Sequence, residues 1–179
     1  MNKFQIRNKI LRIRKKNSYK NFKINFTTLI KVLKKNNIRG NLIGAYYPFN
    51  YELDITKIFK KLEKKNFHIL LPKIKKKNQM DFFDWSTKSP LAINKYGIPE
   101  PISNRIKYPS IILVPLVAFD KHYNRIGYGG GFYDRYIKKV RKIKKVFTIG
   151  IAYSFQKVKK IPINKYDIKL DLIITEKQK

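Results

Sequence analysis

The sequence predicts an α/β fold, a parallel sheet sandwiched between helices. Two observations predict it. Segments with the 3.6-residue period of a helix alternate with short strand-like runs along the chain. Several of those runs are continuously apolar, Ile111-Ile112-Leu113-Val114 above all, which marks strands buried on both faces. No internal repeat and no long linker divides the chain, so one domain over residues 1–179 is expected.

The elements follow in order. Residues 4–16 read as a short basic helix with Phe4, Ile10 and Leu11 on its apolar side. Residues 22–35 read as an amphipathic helix, because Phe22, Phe26, Leu29, Ile30 and Leu33 recur at helical spacing. Asn41 to Tyr47 is a strand ending at Pro48. Asp54 then serves as an N-cap for a helix striped by Ile55, Ile58, Phe59 and Leu62, running to about Lys65. Phe67 to Leu71 is a strand stopped by Pro72, and Met80 to Trp85 is another. Lys88 to Pro109 holds four prolines and Gly97, so it reads mostly as loop. Ser110 to Val114 is the most deeply buried strand. Phe132 to Lys145 is a helix, Phe147 to Tyr153 a strand, and Asp171 to Thr175 the last strand. In open α/β sheets ligands sit beyond the carboxyl ends of strands. The loops after Tyr47, Leu71, Val114 and Tyr153 are therefore where chemistry is expected.

Composition narrows the function classes. There are 42 Lys+Arg against 11 Asp+Glu, a formal charge of +31, yet 43% of the 179 residues are hydrophobic, so a disordered basic tail is excluded. The chain has no cysteine, which excludes disulfides, thiolate zinc sites and a cysteine nucleophile, and its two histidines exclude a histidine-rich metal centre. No run reaches the ~18 apolar residues of a membrane span. Charges within Met1 to Arg12 leave no secretory apolar core, so the mature chain is expected to begin near Met1. The charge itself has two readings. One is a basic RNA-binding protein. The other is a solvated lysine surface from a Lys-, Asn- and Ile-rich composition. The runs Arg12–Lys16, Lys75–Lys77 and Lys138–Lys145 are scattered and match no basic-aromatic RNA motif, which favours the second.

The densest signal is Val114 to Asp120, then Arg125-Ile126-Gly127-Tyr128-Gly129-Gly130-Gly131-Phe132-Tyr133-Asp134-Arg135. Four of eight glycines fall within five positions between a buried strand and a helix. Exposed amides before a helix N-terminus favour phosphate. The loop is neither a Walker A motif nor the dinucleotide fingerprint. Arg125 can neutralise phosphate charge through its fork geometry. Asp134 is either a magnesium carboxylate or a first-turn charge on the helix dipole. These residues alone point to an anion or nucleotide loop and name no substrate.

The same stretch resembles the signature of the 5-formyltetrahydrofolate cyclo-ligase family, also called methenyltetrahydrofolate synthetase. The resemblance extends over essentially the whole chain, through Lys3 and Arg7, Tyr47-Pro48, Glu52-Leu53-Asp54, Leu71-Pro72-Lys73, Met80-Asp81-Phe82, Gly97 to Pro101, Ile149 to Gln156, and Ile161-Pro162 with Asp167 and Asp171. It implies a three-layer α/β/α domain with a Rossmann-like, mostly parallel sheet. It also implies cyclisation of 5-formyltetrahydrofolate to 5,10-methenyltetrahydrofolate, with ATP as co-substrate and Mg²⁺ as cofactor. The formyl oxygen would be phosphorylated, nitrogen 10 would attack, and phosphate would leave.

Residue roles carry over by position. Lys3, Arg7 and the loop Arg125, Ile126, Gly127, Tyr128, Gly129, Gly130, Gly131, Phe132 and Tyr133 would bind ATP. Tyr47, Glu52, Tyr96 and the stretch Tyr128 to Phe132 would bind the folate, Glu52 accepting paired N–H bonds from the pterin edge. Asp134 and Asp167 would hold magnesium. Arg125, Tyr133 and Lys73 would serve catalysis. The family pattern often has glycine where this chain has Tyr123; Asn124 beside it tolerates positive φ, so the turn is expected to survive with shifted geometry. The expected setting is a cytoplasmic monomer acting on ATP and reduced folate, polyglutamylated forms included, with no specific nucleic acid and no membrane partner.

Overall fold

The computed structural model describes residues 1–18, 22–76 and 78–178; Lys77 of the Lys75–Lys77 run lies outside them. Six strands form the main sheet in the order β10-β9-β6-β1-β2-β3. They are β1 (Leu42–Gly44), β2 (His68–Lys75), β3 (Gln79–Trp85), β6 (Ile111–Pro115), β9 (Phe147–Ala152) and β10 (Leu172–Thr175). All neighbours are parallel except β3, which returns antiparallel to β2.

The apolar strands divide their side chains between two cores, as the period of two requires. Ile111 and Leu113 of β6 face α2 (Phe26–Lys35) and α3 (Thr56–Glu63), packing with Leu29, Leu33, Phe59 and Leu62. Ile112 and Val114 face α4 (Phe132–Arg141), packing with Tyr136, Ile137 and Val140. Helices therefore cover both faces, giving the expected three layers. Two hairpins are added: β4 (Leu91–Ile93) with β5 (Pro99–Pro101), and β7 (Ala118–Phe119) with β8 (Arg125–Ile126). Helix α1 (Lys3–Lys16) docks on the second hairpin through Ile6 and Ile10, against Val117, Ala118 and Ile126. Among the described residues no helix is long and apolar enough to cross a membrane.

Several expectations change in detail. Phe4 is exposed, and the buried face of α1 is Ile6, Ile10 and Arg14. Helix α2 starts at Phe26, because the Asn25 side chain accepts the Thr27 N–H and caps it there. Phe22 lies before the helix with its ring 5.5 Å from that of Tyr153. Asp54 accepts the Thr56 N–H one position before the N-cap, Ile55. Strand β2 does not stop at Pro72. Strand β1 ends opposite Leu70, and the Ile74 N–H, on the side Pro72 would use, goes to Glu100 instead. A missing N–H at Pro72 therefore breaks no ladder bond. The proline-rich stretch contains the β4–β5 hairpin, whose turn is held by Asn94 accepting from the Tyr96 and Ile98 amides.

Candidate active site

The cleft opens beyond the carboxyl ends of β1 and β6 and has a volume of about 1060 Å³. Its phosphate-suited wall grows from the β7–β8 hairpin. Asp120 is buried and holds the connecting turn, accepting from the amides of His122 and Asn124 and from Ile161. Those bonds and the Asn124 side chain outweigh burial and keep its carboxyl below the usual range. The turn survives with Tyr123 itself at the positive φ, +64°, and Asn124 outside that region. A tyrosine there costs about 1–2 kcal/mol. Arg125 follows in register, opposite Phe119.

The guanidinium of Arg125 is buried. It pairs with Asp134 at 2.9 Å and donates to the Ile168 carbonyl. Burial pushes its pKa down, opposed by Asp134 and Asp167. The Ile168 amide donates back to the same Asp134 oxygen, at 3.0 Å. The glycine run turns through Gly129 (φ +107°) and Gly131 (φ +65°), the N-cap of α4. Both conformations suit glycine. Gly129 lies against Arg7: a Cβ there would sit 3.5 Å from the guanidinium. Arg7 donates from Nε to the Gly127 carbonyl at 2.9 Å. Lys3, one turn earlier on α1, pairs with Asp167, which also accepts the Asn164 amide.

The opposite wall is aromatic. Tyr46, Tyr47 and Phe49 follow β1, then a tight turn places Asn50 and Tyr51 at φ +47° and +60°. Glu52 closes the turn, its amide donating to the Phe49 carbonyl at 3.0 Å and its Oε2 accepting the Phe49 amide at 3.0 Å. Burial raises the Glu52 carboxyl to about 7, against the Phe49 amide and Arg14, which pull it down. Burial also pushes the Tyr133 hydroxyl well above the usual tyrosine range, with Glu52 adding to the shift. Tyr128 rises to about 12 by burial and by Glu52.

Lys3, Arg7, Tyr47, Glu52, Tyr96, residues Arg125 through Tyr133, Asp134 and Asp167 all line this one cleft. Lys73 does not join them. Strand alternation turns Pro72 and Ile74 into the cleft and Lys73 away from it, over the Phe83 ring and toward the Ser103 carbonyl at 3.1 Å. The loop after Tyr153 also stays outside. Residues not foreseen are Tyr46, Phe49, Tyr166, Arg135 and Lys138, which line the cleft, and Arg14 behind it. Arg14 carried a signal: it continues the Ile6–Ile10 stripe at i+4, a cation on an otherwise apolar face.

The donor set suits a hard cation. Asp134 spends Oδ1 on Arg125 and Ile168, and Asp167 spends Oδ2 on Lys3 and Asn164. Each keeps a second oxygen. Among the described residues no three His, Cys, Asp or Glu gather as a metal cage. Magnesium commonly needs only one or two carboxylates, with phosphate oxygens and water completing the shell.

Comparison with known proteins gives this arrangement a family. The family model for the 5-formyltetrahydrofolate cyclo-ligase family matches residues 1–176. A 5-formyltetrahydrofolate cyclo-ligase of Haemophilus influenzae is 32% identical over 140 residues, 74% of each chain. The Escherichia coli K12 cyclo-ligase is 29% identical over 145 residues, 77% of this chain and 79% of that one. A solved 5,10-methenyltetrahydrofolate synthetase from Mycoplasma pneumoniae superposes with a TM-score of 0.76 at 28% identity, covering 99% of this chain and 100% of the other. The Aquifex aeolicus synthetase gives 0.77 at 29% identity, covering 99% and 91%. With a match across nearly its whole length and a shared fold, the chain belongs to the 5-formyltetrahydrofolate cyclo-ligase family.

Proposed function

We propose that this chain closes 5-formyltetrahydrofolate to 5,10-methenyltetrahydrofolate at the expense of ATP, releasing ADP and phosphate. The observation that carries the reading is one cleft joining a glycine loop flanked by Lys3, Arg7 and Arg125 to a buried acid among aromatic rings. The first half suits a polyphosphate and the second a planar heterocycle with N–H groups on its edge.

The chemistry needs a better leaving group. An amide oxygen leaves poorly, so the formyl oxygen first takes the terminal phosphoryl of ATP. Nitrogen 10 then attacks the formyl carbon and loses its proton, and phosphate departs with the oxygen. The protein positions the reactants and screens charge. Arg7, Lys3 and the loop amides hold the phosphates, and Arg125 neutralises the transferred group. Glu52 orients the pterin edge against Tyr47 and Phe49. Tyr133, whose hydroxyl stays protonated, donates a hydrogen bond to developing negative charge. Asp134 and Asp167 would hold Mg²⁺, which supplies charge neutralisation to the phosphate oxygens. Lys73 takes no part, being directed away from the cleft. A surface of net charge +31 also favours folates with polyglutamate tails.

The test is a spectrophotometric assay of 5-formyltetrahydrofolate, ATP and Mg²⁺ in the near ultraviolet. ATP-dependent growth of the methenyltetrahydrofolate band is expected. Its absence from folded protein would sink the reading.

A further inference from the structure

Arg14 has a setting that its role as a helix residue does not explain. It is 1% exposed, yet among the described residues no carboxylate pairs with it. Glu52 feels its charge but makes no hydrogen bond to it. A buried cation without a salt bridge is costly, and a methionine or leucine would fill the same stripe without that cost. Its hydrogen bonds go elsewhere. Nη2 donates to the Leu116 carbonyl at 3.1 Å, just past β6. Nη1 donates to the Tyr128 hydroxyl at 3.0 Å and reaches the Asn50 carbonyl at 3.5 Å. The guanidinium also lies 5.6 Å from the Tyr128 ring centroid.

Tyr128 belongs to the glycine loop, and Asn50 to the turn that carries Glu52. The two segments already touch: the Phe49 and Tyr128 rings meet edge to face at 6.0 Å, and the Tyr128 hydroxyl lies 3.5 Å from the Phe49 carbonyl. Without Arg14 that contact is the ring pair, the long hydrogen bond and the Asn50 side chain near the Tyr128 hydroxyl. With it, a charged fork anchored on the sheet through Leu116 grips both loops from behind.

We propose that Arg14 is a positioning residue that locks the glycine loop to the Phe49–Glu52 turn through Tyr128, fixing the separation between the nucleotide and the folate. The inference rests on the functional reading above. It adds what that reading leaves open, namely what keeps two reactants on two different loops in reacting distance. Misplacement by about 1 Å can cost about 100-fold in rate, so such a lock has kinetic weight.

The experiment compares wild type, Arg14→Met, Tyr128→Phe and the double variant. The first readout needs no ligand: amide hydrogen exchange in residues 49–52 and 127–131. Exchange in both segments is expected to rise about tenfold in each single variant, the size of losing one or two hydrogen bonds. The second readout is turnover. Arg14→Met should lower kcat by about tenfold while the ATP KM moves less than about twofold, and the double variant should be no worse than the poorer single one. Arg14→Lys, which keeps charge but reaches fewer acceptors, should fall between. A merely structural role would lower Tm and leave the exchange of the two loops and the kcat–KM split as in wild type, which would overturn the lock. So would additive losses in the double variant. If Arg14→Met does not fold, Tyr128→Phe and Arg14→Lys decide between the same two outcomes. A wild-type chain with no turnover would overturn the functional reading instead, and the exchange data would still decide whether the lock exists.

Discussion

The two walls of the cleft handle charge in opposite ways. On the glycine-loop wall three cations have partners already: Arg125 with Asp134, Lys3 with Asp167, Arg7 with the Gly127 carbonyl. On the Glu52 wall the acid is held among aromatic rings, with one amide hydrogen bond and the nearby Arg14 charge against it, and burial still raises it to about 7. Two of the three loop-wall cations are offset by carboxylates, and all three could exchange partners for an incoming anion. The Glu52 wall is left short of hydrogen bonds and gains them only when a ligand supplies donors. One wall thus tolerates dense charge, and the other discriminates by what it lacks. Sites built to hydrogen-bond a ligand reject analogues that leave the buried group unpaired.

Single substitutions can undo either arrangement. Asp134→Asn should have the largest effect: turnover down by about 100-fold or more, and stability down by about 1–3 kcal/mol because the buried Arg125 keeps a weaker partner. Steady-state kinetics beside a denaturant curve would read both, and full turnover in the variant would remove Asp134 from the machinery. Next, Glu52→Gln should raise the folate KM by about 10–100-fold and leave the ATP KM alone. The same variant should stabilise the unliganded protein above neutral pH. Glu52 has a folded-state value near 7 against an ordinary 4.5, so the unfolded chain releases this proton first as pH rises. The native state therefore loses stability between those two values, by up to about 3 kcal/mol once Glu52 is ionised. Denaturation of wild type and variant at pH 5 and pH 8 should show the gap widening in the variant's favour. A constant gap would mean that Glu52 is already solvated.

Smaller effects probe how tightly the charges and turns are held. Asp167→Asn frees Lys3, so inorganic pyrophosphate should bind about two- to fivefold more tightly in EDTA, measured calorimetrically. Unchanged binding would show that the ion pair does not hold the lysine back. Smallest is Tyr51→Gly. Tyr51 is exposed at φ +60°, and glycine relieves that strain, raising stability by about 1 kcal/mol and Tm by about 2–4 °C.

The sheet was legible because its strands repeat apolar residues without interruption, as Ile111 to Val114 do. Helix faces were legible wherever the stripe was unbroken, as in α3. What was not legible depended on neighbours distant in sequence. Pro72 looks like a stop unless one knows that β1 ends opposite Leu70. Lys73 looks like a cleft residue until register with Asp81 fixes which way its strand alternates. The two-residue strands β7 and β8 are too short to show any period. Arg14 reads as one more lysine-like charge, and its burial follows from Leu116, Asn50 and Tyr128, which lie 36 to 114 positions away. For the cleft, the glycine run and the paired cations stood out in the sequence, whereas the aromatic wall behind Tyr46 and Phe49 came from a turn with two consecutive positive φ values at Asn50 and Tyr51.

The Lys3–Asp167 pair spans 164 positions. At synthesis rates of about 5–20 residues per second, the lysine is added roughly 8–30 s before its aspartate exists. Helix α1 has 14 residues, a length at which an isolated helix is marginal. Its docking surface, the β7–β8 hairpin, is made more than a hundred residues later. A segment made early is thus among the last to settle, and a strongly cationic, unsatisfied stretch spends those seconds beside the polyanionic ribosome that is making it.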